Sequence, residues 1–310
     1  MRTNYSVLPV LFMAFTILFI GSPCRAGQVI TKDIKAWARQ AIEQEKSLGA
    51  IGAKNTLAVL YFHNKSGNAG LDPLQKGLAF MLITDLSQVE GLDLIERVKL
   101  QALVEEMDLG KTGLIDADTA PRAGQLLGAA YLVGGDISKG KTAGIGIRSD
   151  VLDVPTTNIL GQPATEGELR QFMDMEKELL FDIIALLKVE LTPEQVSELK
   201  KPLTRDMSAL MNLFNAIDRS DRGMYREAAS YYRRSLKKDP GLRQAKNALN
   251  ELKNLNLIKP VSKTTVLIRN LEEKTSNTST LTPEDSSLRS NDPGDLQKRQ
   301  ENTGQIHVQW

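Results

Sequence analysis

The chain has 310 residues, with 39 Lys and Arg against 38 Asp and Glu and only two histidines. With the charges of the whole chain this close to balance, nucleic acid is not an expected partner. The single cysteine, Cys24, excludes a disulfide framework and a thiolate zinc site, so the core has to hold by packing.

The chain opens with Arg2 and an apolar run from Val7 to Ile20, followed by small and turn residues. A bilayer-crossing helix needs roughly 20 apolar residues, so this shorter run reads as a cleaved signal peptide. Cleavage is expected after Ala26, with Cys24 and Ala26 in the small-residue positions and Gly27 as the first mature residue. Lipidation at Cys24 is the competing reading, and Pro23 and Gly21 make a poor lipoprotein signal. The expected location is the periplasm.

Residues 27–50 follow, where Ile34, Trp37, Ala41 and Ile42 mark a polar lead-in helix at helical spacing. An α/β domain is expected over 51–190. It starts with the buried strand Leu57-Ala-Val-Leu-Tyr-Phe62, bounded by the turn-forming Asn64 to Asn68. Asp72 is expected to cap a helix that Pro73 opens, with Leu74, Leu78, Met81, Leu82, Leu86 and Val89 on its apolar face and Gly91 at its end.

A second strand, Leu92 to Glu96, leads through Arg97 into a helix carrying Leu100, Leu103, Val104 and Met107. Asp116 or Asp118 caps a short helix ending near Gly128. Strands Ala130 to Ser138 and Gly144 to Val154 lie close enough in sequence to form a hairpin. A helix from about Glu168 to Leu187 closes the domain, with Phe172, Met175, Leu179, Leu180, Ile183 and Leu187 along one stripe. Strands alternating with helices, plus one hairpin, predict an α/β fold: a mixed sheet covered by helices.

Three segments in order, Leu57 to Gly67, Leu94-Ile-Glu-Arg97 and Leu126-Leu-Gly-Ala-Ala-Tyr-Leu-Val-Gly134, resemble the curli-secretion (CsgG-like) family over about Asn55 to Lys188. The resemblance implies an exported domain that serves envelope assembly or secretion without catalysing a reaction, and a fold like the amino-terminal domain of the Tol-system propeller protein. Pore-forming members carry two extra amphipathic strand pairs, each strand about 9–11 residues long. The Ser138 to Gly144 and Leu160 to Glu168 connections read here as ordinary loops without room for them.

After a linker at 191–206, residues 207–256 are similar to one tetratricopeptide unit. Gly223 permits the turn, Ala228 lets two helices approach, Tyr232 and Leu236 fill their interface, and Pro240 stops the second helix. Arg243 to Leu255 supplies a third helix. A lone unit should dock on the α/β domain or on another chain, with Tyr225, Tyr231 and Arg234 as candidate partner contacts. The tail, 257–310, reads as disordered from its composition, and its last residues, Gln305 to Trp310, alternate like a strand and read as a mobile tip or a peptide docking onto an open sheet edge.

Gly135-Asp-Ile-Ser-Lys-Gly140-Lys141-Thr142 matches the phosphate-binding loop letter for letter. That loop needs a helix after it, whose amino end faces the phosphates. The alternating residues that follow predict a strand, so a hairpin turn is the expected reading and an NTPase the lesser alternative. His63 is expected at an exposed turn, Glu96-Arg97 in a structural ion pair or helix-start contact, and Asp150 and Asp153 on a solvated strand face.

No catalytic residue, cofactor or metal is expected. The expected role is a periplasmic adaptor or assembly factor acting by protein–protein binding; the alternative is a subunit of an outer-membrane curli-type secretion channel. Other envelope proteins are the expected partners, with a homo-oligomer and peripheral outer-membrane association left open, and no nucleic acid.

Overall fold

The computed structural model describes residues 29–45, 54–107, 115, 118–141 and 144–258. The leader, the tail from residue 259 and the candidate cap Asp116 lie outside them. Helix α1 (Lys32–Glu43) is capped by the Thr31 side chain and buries Ala38 and Ala41. The first strand run is split into β1 (Thr56–Val59) and β2 (His63–Asn64). Both pair in parallel with β4 (Tyr131–Lys139), Val59 opposite Val133 and His63 opposite Asp136. Four steps on one strand therefore face three on the other, so Leu60-Tyr61-Phe62 holds an extra residue and leaves the ladder as a bulge does.

Helix α2 (Pro73–Leu86) opens at Pro73 as expected, but Asp72 does not cap it. A tight turn over Ala69–Leu71, capped by Asn68, already winds the chain there. The Asp72 carboxylate instead accepts from Asn64 Nδ2 at 2.7 Å. The helix stops at Leu86, and Gly91 supplies a later turn at φ +86°. Strand β3 (Asp93–Leu94) is shorter than its apolar run and pairs in parallel with β1. Helix α3 (Arg97–Glu106) follows at once, then α4 (Ala120–Leu127), whose N-cap position holds Thr119 rather than an aspartate. Gly128, left-handed at φ +67°, ends α4.

The expected hairpin is present: β4 runs antiparallel to β5 (Ile145–Asp153), Lys139 opposite Ile145 and Tyr131 opposite Asp153. The stretch read as a loop after it is not one. Strands β6 (Asn158–Gly161) and β7 (Ala164–Gly167) both pair antiparallel with β5. They complete a mixed sheet of order β3-β1-β4-β5-β6. Helix α5 (Phe172–Leu186) then returns over it. The supposed linker also contains a helix, α6 (Pro193–Leu199), with a Thr192–Gln195 capping box.

Right-handed crossovers place α2, on the path from β1 to β3, and α3–α4, on the path from β3 to β4, on opposite faces. Helices α5 and α7 (Met207–Asp221) pack with α2, and α1 packs with α3 and α4. Helix α8 (Tyr225–Lys238) forms a hairpin with α7 across Gly223, at φ +73°, and α9 (Arg243–Asn254) packs on α8. Ala228 and Tyr232 are fully buried, as a helical hairpin of this kind requires, and α8 ends just before Pro240. The described residues all fall within one compact unit. No helix among them is long and apolar enough to cross a membrane.

Candidate functional site

The two faces of the β4–β5 hairpin have different surroundings because side chains alternate along each strand. Val133, Ile137, Ile147 and Val151 are buried on one face. On the other, α4 closes over Leu132 so tightly that a side chain at Gly124 would meet Leu132 Cδ1 at 2.9 Å. Beyond α4, with Ile115 among its lining residues, the described residues leave a groove of about 200 Å³ on the sheet. Leu60 and Leu132, both buried, and the half-buried Leu152 form its apolar floor, and His63, Asp136 and Arg148 stand on its rim.

The rim is internally ordered. Asp136 sits opposite Arg148 in the hairpin and accepts from its Nη2 at 3.1 Å, while Lys65 Nζ approaches the same carboxylate at 2.8 Å. His63 is not an exposed turn residue: it lies half-buried in β2, Nε2 3.0 Å from the Ile115 carbonyl. Asp150 bonds the Gln162 amide, and Asp153 receives the Thr156 N–H and hydroxyl in the turn to β6. Both aspartates therefore serve local structure rather than a bare solvated face. Among the described residues no group of three or more His, Cys, Asp or Glu is placed to hold a metal ion. An apolar floor with a paired, charged rim is suited to seating a side chain or short segment of another protein.

A second constellation fixes the helical module to this domain. Arg97, at the start of α3, is 1% exposed, and its Nη1 lies 2.9 Å from both carboxylate oxygens of Asp221 at the end of α7. The same nitrogen donates to Tyr61 Oη at 3.0 Å. Lys76 Nζ, from α2, is 2.9 Å from Asp221 and 3.6 Å from Asp218. Burial works most strongly against the Arg97 charge, but the carboxylate of Asp221 together with Tyr61 and Tyr232 outweighs it and holds the guanidinium pKa above its ordinary value. Burial likewise pushes the Tyr61 phenol up. The ion pair expected at Glu96-Arg97 thus exists, with its acid 124 residues away in sequence.

Local patterning hints at this node without naming its partners. Arg97 shares the buried side of α3 with Leu100, Gln101 and Val104, and Asp221 continues the Phe214–Ile217 stripe of α7. A charge on an apolar stripe must be paired.

The candidate contacts on α8 have distinct settings. Tyr231 and Arg234 come together, the guanidinium 5.1 Å from the ring centroid, with Arg234 exposed and Tyr231 half-buried. Tyr225 is also half-buried; it and Tyr231 both pack against the core, about a third of a turn apart round the helix.

The phosphate-loop letters from Gly135 to Lys141 lie in the β4–β5 hairpin, and Thr142 falls outside the described residues. Gly135 to Lys139 are strand, the Gly140 N–H bonds the Gly144 carbonyl at 3.1 Å, and the antiparallel β5 begins at Ile145. The Lys141 N–H donates to the Glu166 carboxylate. Gly135 is glycine for packing: a Cβ there would lie 1.9 Å from the Arg148 carbonyl oxygen.

The family model described as "Curli production assembly/transport component CsgG" matches residues 38–147, from within α1 to the third residue of β5. That stretch is similar to the CsgG family. The match ends before α7–α9, so the tetratricopeptide likeness rests on the helix arrangement alone. Among solved structures, the LpoB C-terminal domain from Salmonella enterica is 15% identical, with a TM-score of 0.32, over 44% of this chain and 98% of that one. No curated protein matches the chain.

Proposed function

We propose that a chain carrying this CsgG-like domain is an exported, non-enzymatic cell-envelope protein that works as a periplasmic adaptor or assembly factor by binding other proteins. The observation that carries the reading is the groove on the β4–β5 face, whose β4 side lies in the matched residues 38–147 and whose Arg148, Asp150 and Leu152 lie just beyond them. Its floor is apolar, and its rim charges are pre-paired, so a partner meets an ordered surface rather than mobile side chains. The family description, assembly and transport, supports an envelope role. The leader read from Arg2 and Val7 to Ile20 supports export.

The non-enzymatic reading is supported by the hairpin that occupies the phosphate-loop letters and by the structural bonds that engage His63, Asp150 and Asp153. The channel alternative calls for inserted strands of about 9–11 residues. The strands that follow β5 have four each and pair with β5 itself.

A photo-crosslinking residue placed at Arg148 of the full chain, in the producing cell, tests the reading. The expected result is a discrete adduct with an envelope protein that disappears when Asp136→Lys is added to the same chain. Absence of any adduct, or an adduct indifferent to Asp136→Lys, would count against the groove as the binding surface.

A further inference from the structure

Helices α8 and α9 turn a concentrated positive charge outward. Residues 225–254 contain eight Lys and Arg against three Asp and Glu, in a chain whose totals are 39 and 38. On α8 the buried side is Ala228, Ala229, Tyr232 and Ser235. At 100° per residue, Arg226, Arg233, Arg234, Lys237 and Lys238 fall on the opposite arc. On α9, Ala245, Ala248, Leu249 and Leu252 are buried, and Arg243, Lys246 and Lys253 are exposed.

The three acids of this stretch are taken by contacts within the molecule. Glu227 lies 3.6 Å from Arg219 Nε. Asp239 accepts from the Thr204 hydroxyl at 2.6 Å and the Gly241 N–H at 2.8 Å. Glu251 accepts from the Val29 N–H at 3.3 Å. Among the described residues none of the eight cations forms an ion pair, whereas Arg39, Arg122 and Arg148 each have a carboxylate partner. Next to Lys253, Leu255 ends α9 with 44% of its surface exposed.

We propose that this face of α8 and α9 docks on a membrane surface of anionic phospholipids. The cations are spread along about 18 Å of α8 and across to α9. Such a diffuse field suits laterally mobile lipid phosphates, which can gather under flexible Lys and Arg side chains. A fixed acidic protein segment would call for paired, geometrically defined contacts of the kind seen at Asp221. The exposed Leu255 adds an apolar tip beside the charge, as surface-lying membrane helices do. This inference goes beyond the adaptor reading and is independent of it, because the sheet groove shares no residue with this face.

The test is co-sedimentation of the full mature chain with phosphatidylcholine vesicles and with vesicles containing phosphatidylglycerol. The chain is expected to sediment only with the second and to be released by high salt. A variant with Arg234→Glu, Lys237→Glu and Lys238→Glu should bind more than about 100-fold more weakly, while melting as the parent does. Lys201→Glu, a surface reversal outside the face, should leave binding unchanged. The proposal is overturned if the parent does not bind, if the triple variant binds like the parent, or if polyglutamate is bound in preference to the anionic vesicles.

Discussion

Arg97 and Asp221 meet with both carboxylate oxygens 2.9 Å from one guanidinium nitrogen, joining the first residue of α3 to the last of α7. Lys76 closes on the same carboxylate, so one buried acid answers two buried cations and ties the CsgG-like domain to the helical module. Asp221→Ala leaves Arg97 and Lys76 desolvated without their main counter-charge. Urea unfolding should show a loss of roughly 3–5 kcal/mol. An apolar replacement of the whole set, Arg97→Met with Lys76→Met and Asp221→Leu, should recover most of it. Equal losses in both variants would mean that the pairing is not what the node contributes.

Glycine at position 77 lets Phe214 of α7 pack directly against α2. A Cβ built there would stand 2.3 Å from Phe214 Cδ2. Gly77→Ala should therefore lower stability by about 1–3 kcal/mol, the usual range for overpacking. Adding Phe214→Leu, which withdraws the ring, should restore part of the loss, and calorimetric melting of the two variants gives the comparison. Without that rescue, the close approach would not be the cause.

Glu176 is fully buried on α5, beside Lys177, whose Nζ bonds Asp85 and lies 3.4 Å from Glu176 Oε2. Burial first, and the Asp85 charge second, push the Glu176 pKa well above 4.5. Burial raises Asp85 as well, against the pull of Lys177. Both folded-state values stand above the unfolded ones, so the folded chain binds protons more tightly. Stability from this cluster is fully present at low pH and is lost as pH rises above 4.5 through the raised Glu176 value. Glu176→Gln should flatten that decline and stabilise the chain at neutral pH, as read from urea midpoints across the range. A parent whose midpoint rises with pH where Glu176→Gln does not would reverse the assigned sign.

Lys141 stands at the hairpin tip rather than at the mouth of a phosphate cradle. Lys141→Ala should leave nucleotide binding, measured calorimetrically, at the level of the parent, with neither showing saturable uptake. Gly135→Ala, by contrast, should damage the hairpin, since no room exists for a Cβ against the Arg148 carbonyl. Saturable ATP binding abolished by Lys141→Ala would revive the NTPase reading.

Much of the fold is legible from local pattern. Apolar spacing places α7 at Met207–Asp221, and the closely spaced alternating runs give the β4–β5 hairpin. Strands β6 and β7 are not legible, because Asn158-Ile-Leu-Gly161 and Ala164-Thr-Glu-Gly167 do not alternate and take their strand character from pairing with β5. Helix α6 had a usable signal in Thr192, Pro193 and Gln195, a capping box with proline at the first helical position. The groove is legible only in part. Asp136 and Arg148 follow from hairpin register, but the bulge at Leu60 to Phe62 that brings His63 and Lys65 to the same rim arises from long-range pairing. Arg97 and Asp221 are joined only by the completed fold.

Export underlies the adaptor reading, and fractionation of the producing cell with intact mass of the chain tests it. The expected result is a species beginning at Gly27, recovered without detergent from the envelope fraction and released by salt where it is membrane-bound. A chain retaining Met1 in the cytosol would contradict it. A lipid-modified Cys24 in the outer membrane would replace the adaptor with a channel-associated role.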